Sequence, residues 1–205
     1  MRDHAAVDIA RVVPHALRAH PAVRSVRLVG SRAEGRETAL SDWDFLVETP
    51  DVEAVAEALP RLVLPLRPLA AQWDRLSEEA SYYMLMFDGG VKVDVVLDRP
   101  PELQPPWEVR ADTLGALDAH FWDWILWLGG KELAGRDELV RGNLGGLMWE
   151  HLLRPVGVRR PPGSIREAVD AYLEARGDRE RELGVLVVRD LEDAVVGRLR
   201  AAELA

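Results

Sequence analysis

The chain has 205 residues, of which 48% are apolar, and its 26 basic and 35 acidic residues give a formal net charge of -9. This length and apolar content suffice for one large domain or two small ones, and the negative charge disfavours long nucleic-acid backbones while tolerating a cationic ligand. The sequence has no cysteine, so disulfides and thiolate metal sites are excluded and any metal must use oxygen or imidazole ligands.

No segment of the sequence has the pattern of a signal peptide or a membrane span. Residues 1–13 lack a basic start followed by a continuous apolar core. No apolar run approaches the ~18 residues that a membrane-spanning helix needs. We therefore expect a soluble, cytoplasmic protein without a membrane partner, and a monomer or a homodimer are both compatible with the sequence.

Helix and strand patterns alternate at the start of the chain. Residues 5–19 have a roughly helical apolar spacing, and residues 23–29 form a β-branched run that ends at a glycine. A second strand is predicted at 44–48. A helix is predicted over 51–59, with Asp51 as its N-cap. This half of the chain is therefore predicted to be mixed α and β.

The next segment predicts an irregular stretch and then a hairpin. Pro65 and Pro68 favour a loop or an irregular sheet edge. Two β-rich runs at 82–87 and 91–97 flank the turn sequence Asp-Gly-Gly at 88–90, which is typical of a β-hairpin.

A cluster of prolines divides the sequence into two predicted domains. Four prolines lie within residues 100–106, a density that neither a helix nor a central strand tolerates. Beyond them, apolar residues repeat at three and four, Ser164 begins a capping box, and a last helix is predicted over 183–204. The predicted class is α+β, with a mixed sheet and flanking helices in domain 1–105 and a helical bundle in domain 106–205.

Two aspartates one residue apart are the first candidate functional residues. In a strand Asp42 and Asp44 point to the same side, with Cβ atoms about 7 Å apart. Two carboxylates this close repel each other unless a cation lies between them. Mg²⁺ prefers carboxylates and keeps positions open for phosphate oxygens, so the pair predicts a magnesium site completed by a nucleoside triphosphate.

The turn before these aspartates is a candidate phosphate site. Gly30 allows a phosphate to approach the main chain, and the free backbone amides and hydroxyl of Ser31 are donors for phosphate oxygens. Arg32 adds positive charge. A simple helix start with a surface guanidinium is the structural alternative.

A third aspartate lies in an otherwise apolar strand. Asp94 would be costly to bury without a partner, and it is predicted to be a third metal ligand or to accept the proton of an attacking hydroxyl. Lys92 lies two residues before Asp94, so its side chain points to the same face of the strand. It could form an ion pair with Asp94 or contact a phosphate.

In order, these residues match a known signature. A Gly-Ser turn, a further glycine, an Asp-x-Asp strand and a later single acid are typical of the DNA polymerase beta type nucleotidyltransferase superfamily, which the first hundred residues resemble. The Gly-Ser-Arg-Ala-x-Gly spacing and the helical second half are similar to bacterial antibiotic nucleotidyltransferases, which adenylylate hydroxyls of aminoglycosides or lincosamides.

The resemblance implies an activity and a set of site residues. A substrate hydroxyl would attack the α-phosphate of ATP and release pyrophosphate, with Mg²⁺ held by Asp42 and Asp44 and with Asp94 as third ligand or base. The acceptor would be a small hydroxylated molecule, possibly cationic. In relatives the second domain contributes a lysine to the triphosphate. Lys131, one of two lysines in the chain, is the candidate here, although a solvated lysine at a helix end is the alternative.

Other interpretations stay open at the level of sequence. A toxin-antitoxin type enzyme that adenylylates a protein or an RNA is the alternative activity, and a binding module without catalysis is a third hypothesis. The tryptophans near 124 are predicted to be core residues, while Trp122 and Trp127 are candidates for stacking on a base or sugar ring.

Overall fold

The computed structural model of the chain describes residues 4–75, 81–99 and 108–204. The chain divides into two compact units. The first comprises residues 1–37 and 41–105, and the second comprises residues 38–40 and 106–205. The first unit contains a β-sheet and the second contains helices, as expected for the predicted α+β class. The proline cluster on which the domain boundary was predicted lies outside the described residues.

The first unit is built around one mixed five-stranded sheet. Its strands in chain order are β1 (Ser25–Val29), β2 (Trp43–Glu48), β3 (Ala70–Arg75), β4 (Ser81–Phe87) and β5 (Val91–Leu97). In the sheet they follow the order β1-β2-β5-β4-β3. β2 and β5 are parallel, and the other neighbours are antiparallel. β5, the last of the five in sequence, therefore lies at the centre.

The two faces of the sheet differ because side chains alternate along each strand. Phe45 of β2 and Val93 and Val95 of β5 belong to the hydrophobic core of this unit. Lys92 and Asp94 alternate with these valines, so they lie on the opposite face. That face carries the polar chemistry of the unit.

Helices α1 (His4–Leu17), α2 (Gly30–Ala33) and α3 (Val52–Val63) accompany the sheet. Val13 and Leu17 of α1 and Val55 and Leu59 of α3 are buried in the same core. Their spacing of four residues places each pair on one side of its helix. α2 is a single turn that directly follows β1.

Several local predictions for this unit are confirmed. The side chain of Asp51 caps α3 by accepting a hydrogen bond from the backbone amide of Ala54, with an N···O distance of 3.1 Å. β4 and β5 form the predicted hairpin around residues 88–90. β1 begins at Ser25, two residues later than predicted.

One strand was missed by the sequence analysis. The loop predicted around Pro65 and Pro68 is only a short 3-10 turn at Leu64–Leu66, and the chain then enters β3. β3 lies at the edge of the sheet and pairs with β4. Its sequence, AAQWDR, contains no β-branched residue, so it forms a strand because of its pairing partner rather than its own propensity.

The second unit consists of helices, as predicted. The α-helices are α4 (Leu114–Leu133), α5 (Asp137–Gly145), α6 (Arg154–Val156), α7 (Ile165–Leu183) and α8 (Asp190–Ala201), and a π-helical turn at Trp149–Leu153 directly precedes α6. Ser164 caps α7 by accepting a hydrogen bond from the Glu167 amide at 3.2 Å. The last helix begins at Asp190 rather than at 183, because Gly184, with a φ of 66°, ends α7 in the left-handed region. In the described part of the chain, no helix combines the length and apolar character needed to cross a bilayer.

Trp122 and Trp124 are core residues of α4. Trp122 is 0% exposed and packs edge-to-face against Phe121, with ring centroids 4.9 Å apart, and against Tyr172 at 6.2 Å. A ring enclosed in this way cannot stack on a ligand, so that alternative for Trp122 was wrong.

A buried polar network joins three helices of the second unit. Asp118 of α4 is 2% exposed. Its Oδ1 accepts hydrogen bonds from the Tyr172 hydroxyl at 2.9 Å and from Nη1 of Arg176 at 2.7 Å. Nη2 of Arg176 also donates to Glu192 of α8 at 2.5 Å. Burial raises the pKa of Asp118, and the guanidinium of Arg176 acts in the opposite direction.

This network predicts a large difference between two substitutions. Asp118→Ala leaves the buried Arg176 with one acidic partner and should lower the free energy of unfolding by about 3–5 kcal/mol. Tyr172→Phe removes a single hydrogen bond and should cost about 1 kcal/mol. Urea denaturation of both variants measures the difference. Equal losses would contradict the view that the lost ion pair with Arg176 costs more than the lost hydrogen bond from Tyr172.

Candidate active site

Three carboxylates converge on the polar face of the sheet. Asp44 of β2 and Asp94 of β5 are direct partners in the parallel pairing of these strands, so their side chains lie on the same face. Asp42 lies one residue before β2 begins. One carboxylate oxygen from each of the three residues lies within 4.8 Å of the others. The structure therefore brings together the three acids singled out in the sequence.

A lysine lies inside this acidic cluster. Lys92 is 1% exposed, and its Nζ lies 2.6 Å from Oδ2 of Asp94 and 3.5 Å from Oδ2 of Asp42. The ammonium also lies 4.8 Å from the centroid of the Tyr82 ring, a distance at which a cation is attracted to the ring face. Of the two roles that the sequence allowed for Lys92, the ion pair with Asp94 is the one observed. Its contact with Asp42 was not foreseen.

The pKa of Asp94 is strongly perturbed by its surroundings. Burial is the main cause that raises its pKa to about 8, and the carboxylates of Asp42 and Asp44 act in the same direction. Lys92 opposes them, through its charge and its hydrogen bond. The cluster thus holds more negative charge than its single lysine compensates.

The donor set of this cluster fits a divalent cation. Oδ1 of Asp94 is buried and has no hydrogen-bond partner within the described ranges 4–75, 81–99 and 108–204. A buried carboxylate oxygen without a partner is costly. Three carboxylates within a few ångströms are the oxygen ligands that hard cations such as Mg²⁺ prefer. Asp42, Asp44 and Asp94 are therefore the residues that would hold a metal ion.

The main chain at Gly30 lies against Asp44 of the cluster. Its φ is 71°, and a Cβ atom at this position would lie 2.1 Å from Oδ2 of Asp44. No side chain fits in that space, so only glycine allows the turn after β1 to approach the carboxylate. Ser31 follows and is partly exposed. The glycine turn predicted to bind phosphate is therefore adjacent in space to Asp44, one of the acids predicted to bind the metal ion.

The guanidinium of Arg32 contacts the segment that leads into β2. Its Nε donates a hydrogen bond to the carbonyl of Asp42 at 2.8 Å, and its Nη2 donates to the carbonyl of Ser41 at 2.7 Å. The guanidinium also lies 4.4 Å from the centroid of the Trp43 ring. Arg32 therefore holds the segment that carries Asp42, and a contact with a nucleotide stays a prediction.

These contacts predict a stability effect for Arg32. Arg32→Met removes two hydrogen bonds from a charged donor and should lower the free energy of unfolding by about 1–3 kcal/mol. Arg36→Met is the matched control, because that side chain is 67% exposed and pairs with Glu34. An exposed pair of this kind contributes about 0–1 kcal/mol. Chemical denaturation that finds equal losses would contradict the role given to Arg32.

Lys131 belongs to the helical unit. It lies in the last turn of α4, and its Nζ is 5.1 Å from the centroid of the Trp127 ring. A lysine at this end of a helix also interacts favourably with the helix dipole. These contacts account for the position of the ammonium, and its predicted role at a triphosphate stays a prediction.

Comparisons with known proteins give weak similarities. No protein-family model matches the sequence, and no curated protein matches it. Seventeen chains of solved structures match this chain, among them the following two.

The first is a cytoplasmic RNA terminal U-transferase, with 14% identity and a TM-score of 0.38, covering 70% of this chain and 43% of that one. This chain therefore spans less than half the length of that protein. The second is an aminoglycoside 6-adenyltransferase from Bacillus subtilis, with 14% identity and a TM-score of 0.32, covering 95% of this chain and 96% of that one. At such low identities and TM-scores, neither similarity assigns a function to this chain.

Proposed function

We propose that this chain is a Mg²⁺-dependent nucleotidyltransferase that transfers AMP from ATP to a hydroxyl group of a small molecule. The observation that carries the proposal is the convergence of Asp42, Asp44 and Asp94 within 4.8 Å, beside a glycine turn that touches one of them. A phosphate at the turn and a cation at the acids would lie side by side, as nucleotidyl transfer requires.

Each residue of the site has a role in this proposal. Asp42, Asp44 and Asp94 hold the cation. When bound, a divalent cation neutralises the charge of the phosphate groups and orients them. Gly30 and Ser31 seat the terminal phosphates, because the glycine leaves the main chain accessible and the serine adds a hydroxyl donor. Arg32 keeps Asp42 in place, and Lys131 is the candidate second contact to the triphosphate.

The reaction forms one bond and breaks another. The acceptor oxygen bonds to the α-phosphorus of ATP, the bond from that phosphorus to the bridging oxygen breaks, and pyrophosphate leaves. The hydroxyl proton passes to a base. Oδ2 of Asp94 is engaged by Lys92 at 2.6 Å, so Oδ1 is the oxygen that would ligate the cation or accept this proton.

An aminoglycoside-like acceptor is the class that we propose. The formal net charge of -9 favours a cationic molecule over an anionic one. An acceptor with several hydroxyl and amino groups satisfies both this charge and the chemistry of the transfer.

The test is transfer of labelled AMP by the purified protein. With ATP, Mg²⁺ and a panel of aminoglycosides, we expect pyrophosphate release and an acceptor whose mass increases by one AMP. Both should disappear with a chelator and in Asp42→Asn. Label on protein or RNA in a lysate, with none on small molecules, would instead support the toxin-antitoxin type activity. Calorimetry that finds no Mg²⁺-dependent nucleotide binding would contradict the proposed function.

A further inference from the structure

The acidic cluster contains a positive charge of its own. Nζ of Lys92 lies between two of the three acids, 2.6 Å from Asp94 and 3.5 Å from Asp42. The two oxygens that it contacts are carboxylate oxygens, the ligand type that a divalent cation requires. The ammonium therefore occupies the space between Asp42 and Asp94.

We propose that the ammonium of Lys92 takes the place of a second divalent cation, so that the cluster of three acids binds one metal ion. This inference rests on the proposed function. It concerns how many metal ions the site binds, and it makes Lys92 a positioning residue for the acids.

Distance is the first argument for a single ion. Two-metal sites place their ions about 3.5–4 Å apart, bridged by shared ligands. A cation that ligates both Oδ2 of Asp94 and Oδ2 of Asp42 at about 2.1 Å would lie against the ammonium. Two positive charges in contact repel each other strongly where water is largely excluded. The second position is therefore blocked unless Lys92 leaves.

The surroundings of Lys92 oppose its departure. Its side chain is 1% exposed, and β5 lies in the middle of the sheet, between β2 and β4. The Tyr82 ring, 4.8 Å from Nζ, belongs to β4. An ammonium that leaves Asp94 would lose a short charged hydrogen bond and the ring contact in the same movement.

Charge balance is the second argument. As metal ligands, the three acids must be ionised, and together with the ammonium they carry two net negative charges. One divalent cation neutralises this charge. A second would leave the protein groups and ions with a positive excess that only the nucleotide could offset.

The experiment counts metal ions by electron paramagnetic resonance with Mn²⁺. Wild-type protein with a stoichiometric non-hydrolysable ATP analogue is titrated with Mn²⁺, and the analogue alone is titrated as a control. We expect one protein-dependent Mn²⁺ per chain, with a spectrum free of dipolar coupling. Two coupled ions in the wild type would overturn the inference and leave the proposed function standing. No binding at all would contradict the proposed function as well.

Two variants of Lys92 complete the test. Lys92→Met removes the charge while keeping much of the volume, and we expect it to bind a second Mn²⁺ that couples to the first. Lys92→Arg keeps the charge, and we expect it to bind one ion like the wild type. A single ion in Lys92→Met, or two in Lys92→Arg, would overturn the inference. If Lys92→Met does not fold, the count in the wild type and in Lys92→Arg decides.

Discussion

Replacing Asp44 by asparagine is expected to reduce AMP transfer on the order of 10²–10³-fold, since a bound metal ion contributes several kcal/mol to transition-state stabilisation and Asp44 is one of its proposed ligands. Asp44 is the direct strand partner of Asp94 and the acid that lies against the glycine turn. Asparagine keeps the shape of the side chain and removes its charge. The expected result is therefore a loss of Mn²⁺ affinity together with the loss of turnover, measured by calorimetry and by pyrophosphate release.

The stability of Asp44→Asn separates a chemical effect from misfolding. Because asparagine keeps the volume of the side chain, the melting temperature should stay close to that of the wild type. Asp98→Asn is the matched control, because Asp98 is exposed directly after β5 and undergoes the same chemical change. Full activity in Asp44→Asn, or an equal loss in Asp98→Asn, would refute the role given to Asp44.

Gly30→Ala is expected to damage the site by a steric route. The new methyl group would lie 2.1 Å from Oδ2 of Asp44, so the carboxylate or the turn must move. A displacement of about 1 Å at a reacting site costs on the order of 10²-fold in rate. We expect that loss in the AMP-transfer assay, together with weaker Mn²⁺ binding.

Gly35→Ala provides the control for backbone strain. Gly35 has a φ of 65°, close to the 71° of Gly30, but among the described residues other than its chain neighbours no atom lies within 4 Å of its added Cβ. Both variants should lose about 1–2 kcal/mol of stability, the cost of a left-handed residue with a side chain. Only Gly30→Ala should lose metal affinity and turnover. Equal losses of activity would show that strain, rather than contact with Asp44, is the cause.

The acids of the site were recognisable from the sequence because their spacing follows strand geometry. An Asp-x-Asp pair and a lone aspartate in an apolar strand each limit where a carboxylate points. Asp42 nevertheless lies just before β2 rather than within it. Alternation along β5 also placed Lys92 on the face of Asp94, as observed.

Contacts that depend on pairing between distant strands could not be predicted. Lys92 reaches Asp42 only because β2 and β5 are neighbours in a parallel register, and no local pattern specifies a register. Arg32 donates its hydrogen bonds to two backbone carbonyls, and the sequence does not indicate which backbone groups accept such bonds. β3 has weak strand propensity and is fixed by its pairing with β4.

The central position of β5 has a consequence for the order in which the protein is assembled. On a growing chain, β1 and β2 can already pair as antiparallel neighbours, and so can β3 and β4. The gap between these two pairs is filled only by β5, which is synthesised after all of them. Until then, Asp42 and Asp44 have neither Asp94 to repel them nor Lys92 to attract them. When β5 inserts between the two pairs, it therefore adds the third carboxylate, Asp94, and the compensating ammonium, Lys92, to the site in the same step.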